Sequence, residues 1–125
     1  MKTWLNTEEL GTMLLCLAGI WYMNTGIAWY WWLLLFFSPD ISMLGYLGGN
    51  KIGAFMYNLF HHKGVACVLI GAGIGLEKDI VVITGLLLIA HSAFDRMMGY
   101  GLKMNEGFKH THLGILPGGN KKRAV

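Results

Sequence analysis

The chain has 125 residues, of which 54% are hydrophobic and only 14% charged, with a net charge of +3 and a mean hydropathy of +0.48. The length allows one domain, and the composition excludes an average soluble protein and a disulfide framework; it is the composition of a membrane protein. Much of the positive charge sits at the C-terminal end, where Lys103, Lys109, Lys121, Lys122 and Arg123 face only Glu106; that end suits an anionic lipid surface, and with no recognition module no nucleic-acid partner is expected.

Asn6 with Glu9 three residues on is a capping-box pattern, which predicts a first helix from about Thr7 to Met23. Glu8 and Glu9 stand where a secretory signal would carry basic residues, so this helix is expected to remain in the protein. No charged residue occurs from Leu10 to Pro39, enough for one span and part of another when roughly 20 residues cross the hydrocarbon. Asn24, Thr25 and Gly26 make a turn, and Trp21, Tyr22, Trp29, Tyr30, Trp31 and Trp32 crowd both sides of it, as rings do at headgroup depth. Cys16 and Cys67 lie in apolar runs and read as buried thiols.

A second helix is predicted from Ile27 to about Leu47, kinked or broken at Pro39 because proline removes an amide donor and collides with the preceding turn. Ser38 is placed to cap a restarted half. After the turn at Gly48, Gly49 and Asn50, a third helix from Lys51 to about Gly75 would be roughly 37 Å long. Lys63 falls awkwardly near its middle. Gly71, Gly73 and Gly75 fit close helix contact in lipid; the same stretch imitates a nucleotide-binding glycine turn, but the third glycine of that pattern would fall at Leu76. A fourth helix is predicted from Asp79 to about Leu102. The expected fold is therefore an all-α, integral membrane four-helix bundle over residues 1–102, with a basic cytoplasmic tail over 103–125. Lys2, Lys51 and the tail place both termini on the cytoplasmic side of the inner membrane, since the opposite turns carry only Lys78.

Asp40, His61, His62, His91 and Asp95 fall inside these apolar segments, where an ionisable group is costly and marks a working site. His91 and Asp95 are four apart on one helix face, about 6 Å from each other. Counted from the cytoplasmic helix ends, Asp40, His61, His91 and Asp95 lie roughly 10 to 17 Å deep, so three helices deliver ligand-type side chains to one layer. Imidazole and carboxylate donors suit a divalent cation, zinc first, with manganese or iron if more oxygen is supplied. Such an ion polarises a phosphoryl or carbonyl group and acidifies its water, which makes hydrolysis the natural chemistry; Asp40 or Asp95 could serve as general base instead of ligand. Tyr57 and Asn58 are placed to orient an imidazole or a substrate. Arg96, Tyr100 and Lys103 would hold an anionic headgroup, and His110 and His112 could fold back as further ligands.

The motifs Pro39-Asp40-x-Ser-Met-Leu-Gly-Tyr46, Tyr57-Asn58-x-x-His61, His91-x-x-x-Asp95-Arg96, Gly99-Tyr-Gly-Leu-Lys103 and Thr111-His112-Leu-Gly114 resemble those of an uncharacterised bacterial family of small four-helix membrane proteins. The order Pro-Asp, His cluster, late His-x-x-x-Asp is also similar to that of the LexA-regulated membrane-bound metal-dependent hydrolases. Those proteins carry a second acid after Pro-Asp and a His-Arg-Gly-x-Thr-His motif, where this chain has Ser42 and His61, His62, Lys63 and Gly64. The resemblance implies a metal-dependent hydrolase; with the donors and the cationic cluster, the expected function is hydrolysis of a lipid or lipid-linked phosphate near the cytoplasmic leaflet, using one or two divalent cations. The competing expectations are a metal-binding or proton-coupled carrier, which would need a homo-oligomer, and a small structural or interaction protein whose polar groups only fix helix packing.

Overall fold

The structure, a computed structural model, describes residues 1–119; Lys121, Lys122 and Arg123 of the basic tail lie outside the described residues. In place of four helices and a tail, five α-helices, one 3₁₀ helix and a small sheet follow one another among the described residues. Helix α1 spans Lys2–Tyr22 and α2 spans Trp29–Phe37; the 3₁₀ helix Ser38–Gly48 leads into α3, Asn50–His61, and then come α4, Lys63–Gly75, and α5, Asp79–Met97. Strands β1 (Lys103–Met104), β2 (Gly107–Thr111) and β3 (Gly114–Ile115) form an antiparallel sheet in the order β1-β2-β3. Among the described residues only α5 is long and apolar enough to cross a membrane.

The differences from the predicted helices have local causes. Helix α1 starts at Lys2 rather than Thr7, and Asn6 makes no cap; the Thr7 hydroxyl donates instead to the Trp4 carbonyl at 2.8 Å. The break at Pro39 occurs as expected, but the chain continues as 3₁₀ rather than α-helix, and the Ser38 hydroxyl donates back to Leu35 at 2.7 Å instead of capping a new helix. The predicted third helix is cut in two at His62, whose extended backbone turns the chain while its Nδ1 accepts the amides of Gly64 at 3.0 Å and Val65 at 3.3 Å. An imidazole thus does the work of an N-cap. That break also places Lys63 at the start of α4, where its ammonium pairs with Glu9 of α1.

Helix α5 ends five residues before its predicted limit. Gly99 has φ +90°, its amide bonds the Arg96 carbonyl at 3.1 Å, and the Tyr100 amide bonds the Asp95 carbonyl at 2.8 Å, a Schellman closure that only glycine adopts without strain. Beyond it the stretch read as tail folds into the sheet and packs on α3: Phe108 meets Tyr46 and Tyr57 edge-on with centroids 5.7 and 6.2 Å apart.

Helix α5 is the centre of the molecule, flanked by α1 and α4. Leu88, Ile89 and Ala90 of α5 form the core with Cys16 of α1 and Ala66 of α4. Close approach is allowed by glycine: a Cβ on Gly73 would lie 2.7 Å from the Val82 amide nitrogen. Gly71 and Gly75, expected at the same contact, face open space, and Cys67, expected buried, is exposed. Much of the exposed helical surface is apolar. No residue of α2 is buried, although its sequence is WYWWLLLFF, and Leu15, Trp21, Val68 and Ile74 are also exposed.

Candidate metal centre

Four donors converge where the 3₁₀ helix, the C-terminal end of α3 and the last turns of α5 meet. Asp40, His61, His91 and Asp95 each offer a ligand atom, and these atoms all lie within 4.8 Å of one another. The His61 Nε2 is 3.2 Å from Asp95 Oδ2 and 3.6 Å from Asp40 Oδ1; the His91 Nε2 is 3.1 Å from Asp40 Oδ1 and 3.6 Å from Asp95 Oδ1. Zinc–ligand bonds of about 2.0–2.1 Å in a tetrahedron put neighbouring donor atoms about 3.4 Å apart. The four distances bracket that value. A buried His/Asp group that could hold a metal ion is therefore present.

The surroundings set the donors' chemistry. A carbonyl only accepts, so the 2.8 Å contact between His61 Nδ1 and the Tyr57 carbonyl puts a proton on Nδ1 and turns Nε2 toward the carboxylates. That Nε2 is buried and has no hydrogen-bond partner among the described residues. A lone pair held against two carboxylates at these distances is repulsive unless a cation or a shared proton lies between them. Tyr57 acts twice, since its phenol also donates to Asp95 Oδ2 at 2.6 Å, and its ring stacks on His61 with centroids 3.8 Å apart. Ser92, which the sequence reading passed over, donates to the His61 carbonyl at 2.9 Å and ties the end of α3 to α5. Its only signal was a hydroxyl beside His91 in an apolar helix.

The donors differ in access. His91 and His61 are 0% and 3% exposed, the Asp95 side chain 11% and the Asp40 side chain 40%. Asp40 and Asp95 open onto a pocket of about 320 Å³ walled by Phe37, Met43, Phe94, Met98, Tyr100 and Phe108. Phe36 and Phe37 lie edge-on to His91, with centroids 5.5 and 6.2 Å away, and help to keep water from the buried side.

Tyr100 lines the pocket. Lys103 is 4% exposed and its ammonium lies 3.9 Å from the Phe108 ring centroid, 4.7 Å from that of Tyr57 and 5.3 Å from that of Tyr100, with no hydrogen-bond acceptor among the described residues. Burial pushes this ammonium down to about 8, against the opposing pull of Asp95 and Asp40. Asn58 anchors the sheet instead of touching the four donors: its amide donates to the Lys103 carbonyl at 2.7 Å and accepts the Lys103 amide at 2.5 Å. Arg96 turns to Glu9 of α1 at 3.7 Å. His112 lies outside the four-donor group, in the β2–β3 turn, with its Nδ1 accepting the Leu102 amide at 2.8 Å, and His110 is buried in β2, also outside the group.

Tyr57→Phe tests the supporting layer. It removes the phenol that orients Asp95 but keeps the ring and the carbonyl that orient His61, so zinc affinity measured by competition with a chelating dye should fall by about 10- to 100-fold without loss of fold.

No curated protein and no solved structure matches the chain. Residues 2–116 match the model of the domain of unknown function DUF4260, and the chain belongs to that family.

Proposed function

We propose that this protein is an integral membrane hydrolase that uses a divalent cation, zinc first, on the phosphate of a lipid or lipid-linked substrate near the cytoplasmic leaflet. The observation that carries the reading is the convergence of two imidazoles and two carboxylates beside an aromatic-walled pocket. The order of Pro39-Asp40, His61 and His91-x-x-x-Asp95, similar to that of membrane-bound metal-dependent hydrolases, supports it. Membrane residence is supported by α5 and by the wholly apolar, unburied α2, a surface that water would not tolerate. The basic residues Lys2 and Lys51 support cytoplasmic termini in the inner membrane.

When bound, the cation would supply Lewis acidity and a water that ionises near neutral pH. His61, His91 and Asp95 are the least exposed donors and would hold it. Asp40, the most open of the four, reaches the pocket and would take the proton of the attacking water. Lys103, on β1 outside the helices, would attract the phosphate from behind the rings of Tyr57, Tyr100 and Phe108.

The test is turnover of a panel of lipid phosphates and phosphodiesters by purified protein. Hydrolysis that stops with a chelator and returns with zinc or manganese supports the reading. A stably folded protein that binds no metal and cleaves nothing points to the packing role.

The lysine sets a pH dependence. Below about 8 its ammonium is charged and favours the anionic substrate, and above that it is neutral, so KM should rise as pH passes upward through about 8. Lys103→Gln should raise KM at all pH values and flatten this rise. Lys103→Arg, which stays charged, should keep the low KM to higher pH; the same profile in all three proteins would remove Lys103 from substrate binding.

A further inference from the structure

A second and larger cavity, about 1100 Å³, lies between the later part of α1, the turn after it, α2 and α5. Its walls include Leu17, Ile20, Leu33 and Leu87, and apart from Asn24 and Thr25 at the turn it is lined by apolar and aromatic side chains. Along α1 it runs from Met13 to Tyr22, about 14 Å at the rise of a helix. It ends on Phe37 and Phe94, and the same two rings line the pocket that holds Asp40 and Asp95. A hydrocarbon groove and a carboxylate-bearing pocket thus meet at one wall, which is the shape of an amphiphile with its polar end at the four donors.

We infer that this groove seats one acyl or alkyl chain of a membrane lipid phosphate, with the phosphate delivered past Phe37 and Phe94 to Asp40, His61, His91 and Asp95. The inference rests on the lipid-phosphate reading above for the headgroup; the chain's place is argued from the groove alone. Within a bilayer a chain gains little by leaving other chains, so the groove acts through shape: it holds the chain beside α2 and aims the head at the site.

Photocrosslinking tests this. Hexadecyl phosphate carrying a diazirine on its last carbon is added to the zinc-loaded protein in nanodiscs, and labelled peptides are mapped by mass spectrometry. The terminal diazirine should mark Trp21, Tyr22 and Trp29 at the far end of the groove, and a second probe with the diazirine beside the phosphate should mark Phe37 and Phe94. Leu33→Trp, which fills the groove from an exposed position, should lower groove labelling by about tenfold. Leu34→Trp, exposed and outside the groove, should not. Labels spread evenly over the exposed faces around Val68, Ile74 and Ile80 would mean ordinary boundary lipid and overturn the inference. Crosslinks of α2 to a second copy of the chain, with no lipid adduct, would overturn it too. Groove labelling that is the same without zinc upholds the chain site and counts against the phosphate reading alone, so the two fail separately.

Discussion

His91→Ala and Asp95→Ala should each abolish stoichiometric metal binding, lowering zinc affinity by well over the roughly 100-fold that an outer-layer residue can cost. Both residues lie on α5 one turn apart, and neither has an outer-layer role in which another donor could replace it. His91 is fully buried, and its Nε2 lies 3.1 Å from Asp40 and 3.6 Å from Asp95. Removing it leaves two carboxylates with one imidazole, a set that retains charge but loses a nitrogen donor. Removing Asp95 also orphans the Tyr57 phenol, so Asp95→Asn, which keeps the hydrogen bond and removes the charge, is the cleaner variant. Metal content by elemental analysis of the purified variants, with secondary structure checked by circular dichroism, is the measurement. If His91→Ala and Asp95→Asn carry as much zinc as the parent chain, the centre described here is not a metal site and the hydrolase reading fails with it.

Gly85→Val should destabilise the helical layer by about 3 kcal/mol. A Cβ at Gly85 would lie 2.5 Å from Ile70 Cγ1, 2.8 Å from the Ala66 carbonyl oxygen and 3.1 Å from the Ile70 amide nitrogen. Two of those three atoms are backbone, so no side-chain rotation relieves the clash and α4 must move away from α5. Gly71→Val is the matched control. Nothing lies within 4 Å of a Cβ there, and valine is no worse than glycine in a helix interior, so its effect should be near neutral. Thermal unfolding of the two variants in the same detergent compares them directly. Because α5 carries His91 and Asp95, the displaced α4–α5 contact should also weaken zinc binding in Gly85→Val, whereas an unfolding temperature equal to that of Gly71→Val would contradict the tight helix pair.

The four donor residues are legible in the sequence, because a carboxylate or imidazole in an apolar helix is conspicuous and helical rise alone brings Asp40, His61, His91 and Asp95 toward one layer. The four ligand atoms lie within 4.8 Å of one another, and that convergence depends on a bend that local pattern does not announce. With a continuous third helix His61 would sit mid-span; the break at His62 makes it the last residue of α3, where Ser92 can hold its carbonyl and Tyr57 its ring nitrogen. Histidine is an uncommon N-cap, so local pattern gave no warning. The same break explains Lys63, which is stranded in a continuous helix and paired with Glu9 in the folded chain.

The long apolar runs of the chain and its punctuating turns by themselves determined that it is mostly helical, that it breaks at Pro39, and which residue types gather at the site, since composition, proline geometry and burial cost act on each residue locally. Tertiary structure alone decided that Asn58 and Arg96 brace the sheet and α1 instead of facing the four donors, that Lys103 is enclosed by three rings, and that the C-terminal segment is a sheet. Asn58 with Lys103, Arg96 with Glu9 and Lys103 with Tyr57 are pairs far apart in the chain, and the sheet, whose strands pair with near neighbours, is held in place by packing on α3. A side chain's partner over such distances is chosen by how helices pack, and packing is set by the whole set of shapes at once rather than by any stretch of sequence.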